Sequence, residues 1–136
     1  MTSVERILEY SSLEKEPLEE GKIKPNSDWP AKGAIRFDNV SFSYAKNTPI
    51  VLSNLSFEIK AGEKIGIVGR TGKFLSFHSK LLLNDLIYLI GAGKSSIIAA
   101  VFRLAEPDGN IYIDNINIKD IGLHALRNKL SIIPVK

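Results

Sequence analysis

KIGIVGRTG (residues 64–72) and GAGKSS (residues 91–96) decide how this chain is read. The first is a short apolar run that ends in glycine, the pattern of a buried strand entering a tight loop. The second opens a stretch, residues 94–104, in which Ile97, Ile98, Val101 and Leu104 recur at helical spacing. Joined, residues 69–72 and 92–96 spell GRTG-AGKSS, a match to G-x-x-x-x-G-K-[ST] placed between a strand and a helix. The residue types have physical reasons. Glycine allows backbone angles at which successive N–H groups converge on one anion, and the helix start adds unpaired amides and the positive end of its dipole. Gly69, Gly72 and Gly93 are the candidate loop positions. Lys94 would set its charge against the β- and γ-phosphates, Ser95 would ligate Mg²⁺, and Ser96 would start the helix or face a phosphate.

The two halves are not contiguous. Residues 73–91, KFLSFHSKLLLNDLIYLIG, stand between them. The length of that loop costs only about 2–3 kcal/mol to close. The larger effect is geometric, because amides that should curve round one phosphate lose their short covalent link. Rich in Phe, Leu and Ile, the insert is expected to seek burial or to aggregate rather than lie as a polar loop. The chain is therefore expected to bind ATP weakly or not at all. Gly72-Lys73-Phe74 is also the peptide that a GGT-AAG-T splice donor would encode, and nineteen residues preserve the frame. The insert thus reads as retained intronic sequence or a gene-prediction error, with a genuine variant of the loop as the alternative. Transcripts running straight through GRTGAGKSS would be the mark of that origin.

With 136 residues, the chain suits one small domain. It has no cysteine, which excludes a disulfide framework and thiol chemistry, and its two histidines cannot form a metal cluster alone. No run of 18 apolar residues encodes a membrane-spanning helix. Net charge is +3, divided as −2 over residues 1–34 and +5 over the rest. The positive portion suits an anionic ligand, whereas no block of Lys/Arg interleaved with aromatics marks a nucleic-acid groove.

Outward from the motif, residues 1–13 read as a short helix, with Val4, Ile7 and Leu8 on one face. Residues 14–34, punctuated by Pro17, Gly21, Pro25, Pro30 and Gly33, read as a linker in which Trp29 packs on a neighbouring surface. Strands are expected over 35–44, 51–59 and 64–68, a further strand region over 109–118, a surface helix over 123–129 and a final buried strand over 130–133. Glu14, Glu16, Glu19 and Glu20 read as solvated, Asp114 as a surface residue and Asp120 as a turn or cap residue. By pattern alone, Tyr44 reads as a core or edge aromatic at a strand end.

FDNVSFSY (37–44), the split GRTG…AGKSS and EPDGNIYIDNINIKDIGLHALRNKLSIIP (106–134), in that order, resemble the nucleotide-binding domain of ATP-binding cassette exporters. The similarity points to the second such domain of the multidrug-resistance-associated (C) subfamily, with SVERILEY and DWPAKGAIRF resembling the stretch that leads into it from the last membrane helix. The resemblance implies an α/β fold, a P-loop NTPase of the ABC ATPase type with an N-terminal antiparallel β subdomain, truncated before the later core strands. It divides the chain into a linker (1–34) after a transmembrane domain, a partial nucleotide-binding domain (35–136) and the Walker A insertion (73–91). It assigns adenine stacking to Tyr44, and ATP and Mg²⁺ as cofactors. The implied partners are transmembrane domains and an opposing nucleotide-binding domain, and the implied location is the cytoplasmic side of a membrane. Val135 stands where members carry a glutamine. The signature motif, Walker B aspartate, catalytic glutamate and switch histidine are expected beyond residue 136, so no catalytic residue is assigned. Two alternatives remain open: another P-loop NTPase, such as a kinase or GTPase, or a product that binds no nucleotide.

Overall fold

The computed structural model describes residues 3–13, 16, 21–68, 82–83, 86–88 and 93–133. Its main sheet has four antiparallel strands in the order β2-β1-β6-β7: β1 (Ile35–Phe42), β2 (Leu52–Ile59), β6 (Asp108–Ile113) and β7 (Ile116–Asn117). Alternating apolar residues explain the burial. Phe37, Val40 and Phe42 of β1 turn inward with Leu52 and Phe57 of β2 and Ile111 and Ile113 of β6. Phe37 and Phe57 are direct cross-strand partners and stack at 4.4 Å. On the outer face the paired residues Arg36 and Tyr112 form a cation–π contact at 4.4 Å.

β1 carries a register shift beside Asn39, whose φ is +48°. Gly109 (φ +79°) lies against it, where a Cβ would run into the Asn39 carbonyl. The β6–β7 hairpin turns through Asp114 and Asn115, both at positive φ (48° and 66°), the two-residue turn that Asp and Asn tolerate best after glycine.

Helix α2 (Gly93–Val101) buries Ser96, Ile97, Ala99 and Ala100 and packs on β2. This corrects the expected face: Ile98 is exposed, the helix stops at Val101, and Leu104 projects beyond it. Two adjacent alanines let the helix approach the sheet closely, so they rather than Ile98 face the core. Ile118 and Ile121, with Leu126 of α3 (Leu123–Arg127), complete that core. The final strand expected at 130–133 does not form among the described residues; Ile132 and Ile133 are exposed. A strand needs a hydrogen-bonding neighbour, and none pairs with this stretch there. Helix α1 (Ser3–Ser11) forms as expected but buries none of its residues.

Candidate functional site

The strand entering the glycine motif is β3 (Gly66–Val68), and its neighbour comes from the insert. β5 (Leu86–Tyr88) runs parallel to β3 with Gly66, Ile67 and Val68 opposite Leu86, Ile87 and Tyr88. β4 (Leu82–Leu83) lies antiparallel on the far side of β5. Within the insert, the described segments 82–83 and 86–88 are strands, β5 pairing with β3 and β4 with β5. Parallel pairing has a consequence for the motif. Val68 and Tyr88 are register partners, and parallel neighbours sit about 4.8 Å apart. The described ends of β3 and β5, Val68 and Tyr88, therefore lie side by side at the same end of the sheet. Gly93 follows Tyr88 by five residues, a reach of at most about 18 Å.

Gly93 opens α2, so Gly93, Lys94, Ser95 and Ser96 form its first turn, where unpaired amides and the positive dipole end favour an anion. Ser95 is exposed, whereas Ser96 is 1% exposed. Tyr44 reaches this turn from the end of β1: its hydroxyl lies 3.1 Å from Ser96 Oγ. Its ring meets Phe42 edge-on at 5.1 Å and 78° between planes, yet Tyr44 remains 50% exposed. The structure thus brings Tyr44, Ser95 and Ser96 to one place. Gly69 and Gly72 lie outside the described residues, as does the side chain of Lys94.

Four ties between distant segments hold the surroundings. Trp29 is buried and donates from Nε1 to the Ile113 carbonyl at 3.1 Å, the packing role expected of it. Asp114 is more than a surface residue: its carboxylate accepts from the amides of Lys32 (2.8 Å), Gly33 (3.1 Å) and Ala34 (2.9 Å). Burial opposes its charge, but the amides of Lys32, Ala34, Gly33 and Ala31 outweigh burial and hold the carboxyl below its ordinary range. Glu16 is not merely solvated either. Arg127 donates to both its oxygens, and those bonds lower the Glu16 carboxyl and raise the Arg127 guanidinium. Asp120 ends a 3-10 turn, and its carbonyl accepts from the Ile23 amide.

Sequence reasoning missed Phe42 as the support of Tyr44, although the i, i+2 spacing on one strand face was the signal for it. It had no signal for Glu16 with Arg127, which are 111 positions apart.

No family model matches the chain. Relatives match almost all of it. It is 50% identical over 134 residues to mouse ATP-binding cassette sub-family C member 4, covering 98% of this chain. It is 46% identical over 136 residues to the fission-yeast ATP-binding cassette transporter abc2, again over 98%. Its homologues are ATP-binding cassette transporters. The chain spans only 9% and 8% of those two relatives. Among solved structures, a bacterial Atm1-family ABC exporter with ATP bound aligns with 71% of this chain and 14% of the exporter chain, at 33% identity and TM-score 0.53. The mixed helix and antiparallel-sheet architecture matches part of that ABC exporter.

Proposed function

We propose that this chain is the nucleotide-binding part of an ABC exporter, of the second-domain type in the C subfamily, and that it binds ATP weakly without hydrolysing it. One observation supports the reading: the Val68–Tyr88 register sets the described ends of β3 and β5 side by side, with the two glycine segments following them in sequence. A phosphate group at the start of α2 would meet its first-turn amides. The exposed hydroxyl of Ser95 suits Mg²⁺, Lys94 adds charge, and the half-exposed ring of Tyr44 offers a face to an adenine. Gly69, Gly72 and Gly93 give the backbone its freedom to approach. Mg²⁺ would supply charge neutralisation between the β- and γ-phosphates.

Hydrolysis needs a carboxylate at the metal or the attacking water. Asp114, the acid that follows a strand as a Walker B residue does, is committed to three backbone amides. In the parent transporter, membrane-spanning domains and an opposing nucleotide-binding domain complete the machine, with this part facing the cytoplasm. Among the described residues no helix is long and apolar enough to cross a membrane.

Amide chemical-shift titration of the whole chain with MgATP tests this reading. Saturable binding near 1 mM, about 4 kcal/mol, is expected, with shifts centred on Ser95 and Ser96 and no phosphate release. Deleting residues 73–91 rejoins the motif and should tighten binding at least tenfold. No saturable shift in either chain would refute the proposal.

A further inference from the structure

Tyr44 is held at two points and open elsewhere. Phe42, itself 1% exposed, meets the ring edge-on, and Ser96, equally buried, meets the hydroxyl. Half of the residue nevertheless faces solvent. A tyrosine at a strand end with only one support could turn about its χ angles, whereas this one is fixed at ring and tip. The second anchor lies in the first turn of α2, next to Ser95. Strand and helix are thus linked by a hydrogen bond that runs from the proposed base-stacking face to the proposed phosphate-binding turn.

We infer that Ser96 is a positioning residue. Through the Tyr44 hydroxyl it sets the aromatic face at a fixed distance from the phosphate end, so that the site selects a nucleotide over a bare triphosphate. The inference rests on the proposed nucleotide site and deepens it. Its physical basis is preorganisation: a ring already fixed loses less rotational freedom when a base stacks on it. Loss of one such hydrogen bond corresponds to about a fivefold change in affinity. Selectivity arises because inorganic tripolyphosphate touches only the α2 end and gains nothing from the ring.

The test compares MgATP with inorganic tripolyphosphate in the full chain by amide-shift titration. Y44F keeps the ring and removes the hydroxyl. It should weaken ATP about fivefold and leave tripolyphosphate unchanged. S96A should lower the ATP-to-tripolyphosphate affinity ratio by the same factor, and Y44F/S96A should lower it no further, because one shared bond is being removed. S96T, which retains a hydroxyl, should restore the ratio. Circular-dichroism melts check that each variant folds, and Y44F, conservative and half-exposed, anchors the comparison if S96A melts early.

An unchanged or increased ATP affinity in Y44F overturns the inference, as do losses that multiply in the double variant. If wild type binds tripolyphosphate as tightly as ATP, the phosphate site stands and the positioning role falls. If it binds neither, the nucleotide site and this inference fall together.

Discussion

Arg127 grips Glu16 with two hydrogen bonds, of 2.7 and 2.9 Å, while the same guanidinium donates to the carbonyls of Phe102 and Arg103 at 2.9 Å each. One side chain therefore ties the segment after α1 to the carboxyl-terminal end of α2. The two halves of this contact differ in weight. The Glu16 side chain is 60% exposed, so its ion pair is screened by water and salt. The carbonyls of Phe102 and Arg103 sit where a helix leaves acceptors unpaired, and Arg127 satisfies them.

R127A should accordingly destabilise the chain by about 1–3 kcal/mol. E16Q should shift the urea midpoint only slightly, and less still in high salt. R127K should fail to rescue, because a single ammonium cannot reach a carboxylate and two carbonyls with the planar fork they require. Urea unfolding at two salt concentrations separates these outcomes. An E16Q loss as large as that of R127A would show that the ion pair, not the carbonyl contacts, dominates.

Asp114 gives the chain an acid-sensitive latch. Its carboxyl titrates below the ordinary aspartate value in the folded state, chiefly because the amides of Lys32, Ala34 and Gly33 prevail over the opposing effect of burial. A depressed carboxyl stabilises the fold at neutral pH. That contribution is fully present above the unfolded value of 3.8 and is lost as pH falls through the lower folded value. D114N keeps a residue that tolerates the positive φ of this turn but removes the charge. It should cost about 1–2 kcal/mol at pH 7 and flatten the decline in stability below about pH 4. Thermal melts from pH 2.5 to 7 provide the check; parallel curves for wild type and D114N would refute the latch.

Gly109 tests the bulge in β1. A methyl group there meets the Asn39 carbonyl, and the φ of +79° strains any side chain. G109A should therefore lose about 1–3 kcal/mol, read as a lower melting temperature. A melting point equal to wild type would mean that β1 and β6 can separate locally without cost.

Elements whose burial follows local periodicity were legible in the sequence, and those that depend on a distant neighbour were not. β1 and β2 announce themselves through alternating residues such as Phe37, Phe42 and Phe57, and Trp29 through its isolation in a polar stretch. Leu104 and Ile98 misled because helical spacing records which residues share a face, not which face the sheet accepts. Ile132 and Ile133 misled because apolar content does not provide a strand with a partner. At the candidate site, Tyr44, Ser95 and Ser96 could be named from motif and resemblance, but the hydroxyl contact between Tyr44 and Ser96 spans 52 positions and leaves no local pattern. The parallel pairing of β5 with β3 was hidden for the same reason. Leu86–Tyr88 lies in an apolar run of five residues (86–90), too short to show a period.

That pairing supports the sharpest prediction. Ile87 is the central residue of β5, and β5 is the middle strand of the order β3-β5-β4. Proline at this position removes a ladder donor and is incompatible with an interior strand. The four-stranded sheet β2-β1-β6-β7 contains none of these strands, so its unfolding should be little affected. If register with β3 is what keeps the approach to Gly93 at the edge where β3 ends, I87P should weaken MgATP binding at least tenfold while the far-ultraviolet melt moves by no more than a few degrees. I87V, which keeps the donor and a strand-favouring side chain, should bind as wild type does. The deletion of residues 73–91 supplies the internal control, since it restores the short link and no longer needs β5. Wild-type affinity in I87P would mean that the loop itself, and not the strand pairing, brings the two glycine segments together.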